Sequence, residues 1–338
     1  MTPDQKDRYS RQTRFSGLGD QGQERLLNST VAIVGCGALG SFQAGAMARA
    51  GVGRLILIDR DYLETSNLQR QWLYEEADVQ QSLPKAAAAA AHIQKINAEC
   101  RVDAHVTDLT PSNIEDVLEG ADLVLDGCDN FETRYLINDF AVDRSVPWIY
   151  GGAVGSYGIV MPVIPNKTSC LACVYPQPPG GAQPTCETAG VLNPVTSMVA
   201  SLQCAEATKI LAGVKPSTKM TTIDIWEGAI RQVRIPARDP ECRACAHHEF
   251  EYLHAKKRAP VSLCGRNAVQ IHERNRPLDL PTLHRRLEAL GDVRSNEFAL
   301  RFFPLPYEMT VFPDGRAIIK GTTDIGVARS LYARYIGA

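Results

Sequence analysis

The segment Val31–Asp61, VAIVGCGALGSFQAGAMARAGVGRLILIDRD, constrains this chain more than any other. A short apolar run, Val31–Val34, meets a glycine set, Gly35, Gly37 and Gly40. An alanine-rich helical stretch then runs to about Ala50, and a second apolar run, Leu55–Ile58, ends on Asp59. Strand, glycine turn, helix, strand and acid are the layout of a nucleotide-binding βαβ unit. Gly35 and Gly37 let the backbone turn tightly and approach phosphate oxygens, and Gly40 lets the helix lie close to the sheet. Asp59 falls where a carboxylate accepts from ribose hydroxyls. A glycine turn that serves packing alone is the other reading.

Composition sets the limits. A chain of 338 residues suffices for one large domain or two unequal ones. With 44% hydrophobic and 22% charged residues it is expected to be a soluble globular protein. A net charge of −2 offers no overall electrostatic case for binding nucleic acid. The N-terminus, MTPDQKDRYSRQTRF, lacks the apolar core of a signal peptide, and no apolar run approaches a membrane span. Ten cysteines without a secretory signal point to a reducing cytoplasm, where paired cysteines serve metal or sulfur chemistry more than disulfides.

Along the chain, residues 6–29 are polar and charged, either a surface helix or the source of an arginine for phosphates. After Asp61, LETSNLQRQWLY carries Asn67, Gln69, Arg70 and Gln71 past the C-terminal end of a strand, where ligands of parallel sheets sit. Guanidinium and amide groups there suit phosphate oxygens, and a solvated loop is the alternative. Leu83-Pro84-Lys85 opens a helix with Pro84 in its first turn. Lys85 there opposes the helix dipole, which a phosphate partner would explain. Arg101–Asp108 reads as a strand, Pro111–Leu118 as a helix, and Asp122–Asp126 as a strand leading to the helix of GCDNFETRYLINDFA. Asp126, Asp129 and Asn130 then cluster past a strand end, as hard ligands for Mg²⁺ do. Asp129 as a helix cap is the competing reading. Pro147–Tyr150 is a further strand, followed by GGAVGSYG, expected to be flexible.

Two CxxC pairs follow, Cys170 with Cys173 and Cys242 with Cys245. Each spacing lets two thiolates face one tetrahedral metal, and four sulfur ligands would make a closed, structural Zn²⁺ site tying distant segments together. A redox pair or unrelated core cysteines are the alternatives. Between the pairs, the Gly/Pro-rich PGGAQPTCETAGVLNPV carries Cys186, either a nucleophile or merely an exposed thiol. Ser197–Ala212 has helical apolar spacing, ends at Gly213 and is expected in the core, with Cys204 packed.

Taken together, these motifs resemble the ThiF/MoeB group of sulfur-carrier-protein adenylyltransferases, relatives of the ubiquitin-activating enzymes. The resemblance spans roughly residues 7–247. Its carriers are RYSRQ (8–12), GCGALG (35–40), AGVGRLILIDRD (50–61), SNLQRQ (66–71), LPK (83–85), LDGCDNFETRYLIN (125–138), CLAC (170–173), CETAGV (186–191) and DPECRAC (239–245). It implies a Rossmann-like nucleotide-binding sheet flanked by helices, a structural zinc site and an adenylyltransferase activity using ATP. By implication Asp59 holds the ATP ribose, Gly37 lies against the nucleotide, and Asn67, Arg70 and Lys85 contact the triphosphate. Arg11 would reach the ATP of a neighbouring subunit, so a homodimer is implied. Asp129 would bind Mg²⁺, the four paired cysteines Zn²⁺, and Cys186 sits where some members bond covalently to their carrier or to sulfur. The implied partner is a ubiquitin-like sulfur carrier ending in Gly-Gly, with a cysteine desulfurase or other sulfur donor.

There are two departures from the family pattern. Ala38 replaces the Gly that many members have in the glycine loop, and no rhodanese domain follows. Instead, residues 260–338 form a second expected unit behind an adenylyltransferase domain of residues 1–255, joined by the basic KKRAP (256–260). Strands are expected at 267–273, 297–303, 307–312 and in AIIKG, and helices at 281–290 and 324–336: a small α/β domain. Its role is either carrier docking or extra dimer surface, and Cys264 is expected to pack. Such tails resemble those of longer ThiF-type proteins of thiazole (thiamin) synthesis. The same activity on a molybdopterin-type carrier is the alternative. A nicotinamide dehydrogenase shares the glycine loop and acid but does not need Arg70, Lys85 and Asp129.

Overall fold

The computed structural model describes residues 1–178, 186–254, 261–263, 268–271 and 277–337, with the side chains of 186, 187 and 261–263 left out. The chain divides into two compact units, Met1–Lys256 and Lys257–Ala338.

The first unit is built on an eight-stranded sheet, ordered β3-β2-β1-β4-β5-β6-β7-β8. Strands β1 (Thr30–Val34), β2 (Arg54–Ile58), β3 (Arg101–His105), β4 (Leu123–Asp126) and β5 (Trp148–Val154) run parallel. Strands β6 (Tyr157–Val163), β7 (Lys219–Asp224) and β8 (Ala229–Arg234) extend the sheet antiparallel. The inner strands are apolar throughout because both faces are covered. On one face Val31, Ile33, Leu55, Leu57, Leu123 and Leu125 pack with the helices Ala38–Ala50, Lys85–Ile96 and Asn193–Leu211. The alternate residues Ala32, Val34, Ile56, Ile58 and Val124 pack on the other with Tyr135 and Phe140 of the Phe131–Arg144 helix. From β1 the chain builds outward through β2 to β3, then returns to the other side of β1 as β4. The crevice this reversal opens at the strand C-termini is where ligands of such sheets bind.

Several boundaries differ from the sequence expectation. GGAVGSYG, expected to be flexible, is regular strand and turn. It continues β5 and turns through Gly155 (φ +60°) into β6, paired from Trp148↔Val163 to Val154↔Tyr157. Its glycines serve packing. A Cβ on Gly151 would stand 2.4 Å from Gln203 Nε2, and one on Gly158 2.5 Å from Val199 Cγ2. Residues 6–29 form parts of three surface helices, Pro3–Arg8, Ser10–Thr13 and Gly19–Leu27, that are mostly exposed and bury Tyr9, Gln23 and Leu26 against the unit. Pro84 is the N-cap of its helix, one position before the first turn. The third strand stops at His105, and the helix expected over Pro111–Leu118 shortens to Ile114–Val117. The Asn193–Leu211 helix begins ahead of Ser197, with Pro194 in its first turn, and closes at Gly213 (φ +75°) with Cys204 buried. No helix among the described residues is long and apolar enough to cross a membrane.

The second unit holds a fully antiparallel six-stranded sheet, ordered β11-β12-β13-β14-β10-β9. Its strands are β9 (Val261–Leu263), β10 (Ala268–Ile271), β11 (Val293–Ser295), β12 (Leu300–Phe302), β13 (Glu308–Val311) and β14 (Ala317–Lys320). The helices Leu280–Glu288 and Ile325–Tyr335 bury Leu283, Leu287 and Tyr332 with Val269, Phe302, Met309 and Ile319. Strands β9 and β11 escaped the sequence reading. The stretch expected as one strand from 297 begins instead with a turn, where Asn296 Oδ1 accepts from the Phe298 and Ala299 N–H groups. Residues 256–260 and Cys264 lie outside the described residues.

Candidate functional site

Three loops at the C-terminal ends of β1, β2 and β4 meet at the crevice. In the first, Gly35 (φ +90°) donates its N–H to Ile58 O at 2.7 Å. A Cβ on Gly35 would stand 2.5 Å from Gly127 O, and one on Gly40 1.7 Å from Gly35 O. These two glycines therefore interlock the β1 and β4 turns with the following helix. Gly37 differs: the space where its side chain would stand is open, with only Gln71 Nε2 nearby, at 3.9 Å. Gly37 is the N-cap of the Ala38–Ala50 helix, and no side chain caps that terminus. Its first N–H groups are thus left to an external acceptor, as anion-binding helix ends are.

Past β2, Asp59 accepts the Cys36 N–H on Oδ2 and the Asp61 N–H on Oδ1, both at 2.7 Å. Burial raises the pKa of Asp59, and Lys85 opposes that rise. Lys85 is buried and its Nζ lies 3.1 Å from Asp61 Oδ2, so a carboxylate of the chain answers the cation at this helix start. Asp61 also neighbours Arg60, which pairs with Asp108 at 2.7 Å. Tyr74 Oη donates to Cys36 O at 2.7 Å and Lys85 O at 3.2 Å, tying the glycine turn to the Lys85 helix. Burial pushes the Cys36 thiol well up, so it stays neutral.

The loop between these elements is no uniform solvated segment. Gln69 is exposed, but Asn67 and Gln71 are buried. Asn67 Oδ1 accepts the Glu64 N–H at 3.1 Å, and Arg70 Nη1 donates to Ser66 O at 2.8 Å. Trp72 N–H donates to the buried Ser41 Oγ at 3.1 Å, latching the loop to the glycine helix.

Past β4 the three expected oxygen ligands separate. Asp126 is fully buried and belongs to the scaffold: its carboxylate meets Arg134 Nε at 2.9 Å, Gly151 N–H at 3.2 Å and Cys128 N–H at 2.8 Å. Arg134 Nη2 also donates to Cys128 O and Gly151 O, each at 2.8 Å. Burial works against the Arg134 charge, but Asp126 outweighs it and the pKa rises. Asp126 therefore has no carboxylate face left for a cation, contrary to the sequence reading. The helix cap is Asn130, which accepts the Thr133 N–H at 2.8 Å, not Asp129. Asp129 stands exposed at the mouth. Arg134 was missed; nothing in the local pattern singles it out, since Asn138 and Asp139 of the same helix are buried polar residues too.

Arg11 is not gathered with these residues. The neighbouring Gln12 donates to Ala50 O, at the far end of the 13-residue Ala38–Ala50 helix and thus about 20 Å from the glycine turn. Exposed Arg11 donates to Ser10 Oγ at 3.2 Å. Cys186 begins the short Cys186–Ala189 helix, and its side chain lies outside the described residues.

Elsewhere in this unit the two CxxC pairs come together, with all four sulfurs within 4.8 Å of one another. Cys170 lies 3.8 Å from Cys173 and 3.6 Å from Cys242, and Cys173 lies 3.4 Å from Cys245. Four thiolates on one tetrahedral Zn²⁺ stand about 3.8 Å apart, given bonds of about 2.3 Å. The donor set therefore fits such an ion. Donation from the Cys170 thiol holds the Cys173 thiol down to about 4, which favours thiolate. The Phe131–Arg144 helix reaches both pairs: Asn138 Oδ1 accepts the Leu171 N–H at 2.8 Å, and Asp139 accepts the Tyr252 N–H at 2.9 Å and pairs with Arg243 at 3.5 Å.

Comparison with known proteins agrees with this geometry. Residues 9–244 match the ThiF family. The sulfur carrier protein ThiS adenylyltransferase of Bacillus subtilis (strain 168) is 40% identical over 335 residues, covering 98% of this chain and 99% of that protein. The sulfur carrier protein adenylyltransferase of Thermus thermophilus is 38% identical over 252 residues, covering 72% of this chain and 92% of its own length. The crystal structure of E. coli MccB with ATP superposes with a TM-score of 0.62 at 26% identity, over 71% of this chain and 74% of that one. The chain belongs to the ThiF family.

Proposed function

We propose that this protein adenylates the C-terminal glycine of a ubiquitin-like sulfur carrier ending in Gly-Gly, the activating step of thiocarboxylate formation in thiazole (thiamin) synthesis. The observation that carries the reading is the open Gly37 turn with its uncapped helix N-terminus, with Asp59 bonded to the Cys36 N–H of that turn. The thiamin assignment is supported by the relative named for the carrier ThiS, whose match covers 98% of this chain. ATP lies with its ribose on Asp59 and its phosphates against the glycine turn, Asn67, Arg70 and Lys85. The carrier carboxylate attacks the α-phosphorus, an acyl–phosphate bond forms, and pyrophosphate leaves with the electron pair. The nucleophile is already ionised, so no general base is required. Catalysis rests on positioning and on charge stabilisation.

Asp129 is the exposed carboxylate suited to hold Mg²⁺, which when bound neutralises phosphate charge. The adenylate carbonyl is then open to a sulfur nucleophile from a cysteine desulfurase or other donor, releasing AMP, with Cys186 a candidate to form the covalent link. Arg11 acts across a homodimer, from one subunit on the ATP of its partner. Cys170, Cys173, Cys242 and Cys245 hold a structural Zn²⁺. The cysteine usage fits a reducing cytoplasm.

Intact-mass spectrometry of thiazole-type and molybdopterin-type carriers incubated with the protein and ATP–Mg²⁺ tests the reading. An AMP adduct on the thiazole-type carrier alone is expected. An adduct on the other alone reassigns the pathway, and none on either overturns the proposal.

A further inference from the structure

We propose that the recess at the start of the Leu280–Glu288 helix, in the second unit, takes a lysine or arginine side chain carried by a protein partner. The inference stands apart from the adenylation reading and concerns the unit to which that reading gives no task. The recess holds about 550 Å³, within the range of ligand sites. Three stretches enclose it, and two bonds hold them together. Leu278 N–H donates to Pro313 O at 2.7 Å, and His284 Nδ1 lies 2.7 Å from Ser295 Oγ, joining the helix to the end of β11.

The lining is split by chemistry. Leu278, Leu280, Pro281 and Pro313 supply apolar surface, and Asp279 and Glu297 supply carboxylates. Both prolines and both acids are exposed, so the mouth is open to a side chain that arrives on a backbone. Neither acid is spent on the fold. Asp279 is the N-cap of its helix, a place where aspartate ordinarily stabilises by capping, yet it accepts none of the helix N–H groups. Asp324, at the same place on the Ile325–Tyr335 helix, accepts those of Gly326 and Val327 at 2.7 and 3.1 Å. The Asp279 carboxylate takes the Thr282 hydroxyl instead. Glu297 stands in the turn that Asn296 Oδ1 closes through the Phe298 and Ala299 N–H groups. Among the described residues neither carboxylate has an ion-pair partner, and no lysine or arginine lines the recess. Arg285, on the same helix, donates to Thr282 Oγ1 at 3.0 Å. A cation on a long apolar stem is the complement of this lining: its methylenes lie on the apolar surface while its head stays at the charged rim. An apolar ligand would cover the carboxylates without pairing them, and an anion would be repelled.

Saturation-transfer NMR on the full chain measures binding of acetylated pentapeptides with one variable residue flanked by glycines. Lysine and arginine peptides should bind alike. Norleucine, a stem without charge, and 2,4-diaminobutyrate, a charge on a short stem, should each bind at least about fivefold more weakly. Asp279→Asn with Glu297→Gln should weaken the lysine peptide by roughly threefold to tenfold with the melting temperature unchanged. Glu297→Gln alone, in an exposed turn, should weaken it about twofold and decides the matter should Asp279→Asn lower the melting temperature. Glu288→Gln with Asp292→Asn removes the same charge outside the recess and should leave affinity within about twofold. No binding of the lysine and arginine peptides overturns the proposal, as does equal binding of either control peptide. Unchanged affinity in the recess variants overturns it too, as does an equal loss in the variant outside the recess.

Discussion

The crevice and the four-thiol cluster both gather ionisable groups in the same unit, and they manage them in opposite ways. At the crevice the chain answers its own charges. Asp126 has Arg134 and two backbone N–H groups, Asp61 has Lys85, and Asp59 has two N–H groups. The loops are therefore shaped before any ligand arrives, which is the preorganisation that a charge-stabilising site needs. At the cluster four sulfurs face one another, and Arg238, beside Cys245, also donates to the Cys245 carbonyl. Thiolates so close repel unless a cation sits among them. The crevice is a socket shaped by the chain's own pairs; the thiol cluster is a donor set that fits a tetrahedral ion.

Breaking the donor set should have the largest effect. Zinc–thiolate sites contribute about 10–16 kcal/mol in isolated fingers. Cys170→Ser with Cys242→Ser, or strong chelation, should lower the melting temperature by more than about 10 °C and release one metal ion per chain, measured by scanning fluorimetry and elemental analysis. An unchanged melt would mean that the cluster holds no structural ion.

The scaffold of the crevice comes next. Arg134→Ala leaves Asp126 buried and unpaired and should remove about 3–5 kcal/mol of stability in urea unfolding. If the loss is only a few tenths, the Asp126–Arg134 pair is not what shapes the socket.

Asp129→Ala separates socket from scaffold within one loop. Adenylation should fall by roughly 10²–10³-fold while the urea midpoint stays put, since the exposed carboxylate is no part of the buried network. Activity retained at saturating Mg²⁺ would refute the metal role.

The smallest effect is expected at Cys186. Cys186→Ser should leave AMP-adduct formation within about twofold of wild type while slowing the later sulfur transfer. Loss of adenylation from a folded variant would put this residue in the socket itself. Removal of residues 260–338 asks the matching question of the second unit: unchanged carrier affinity would exclude carrier docking there.

Much of this was legible in the residues. Val31–Asp61 announces its strand, turn and helix through local period and glycine spacing, and those signals act over a few residues, where chain geometry leaves little choice. The CxxC pairs announce themselves for the same reason. The strands of the second unit were shifted or missed where short runs such as Val293–Ser295 carry too little pattern to stand out.

What the residues alone determined, then, is the βαβ unit, the open glycine turn at Gly37 and the paired thiols, each encoded in contiguous spacing. Only the tertiary structure decided which of the two acids past β4 is a scaffold and which faces the mouth, that GGAVGSYG is a hairpin against Gln203, and that Gln71, in a polar loop, is buried. Those outcomes rest on contacts between segments far apart in the chain, as in the bonds of Gln43 and Gln203 to Asp126 O. A carboxylate looks the same in a string of letters whether a distant arginine reaches it or not; burial and partnership are properties of the packed chain.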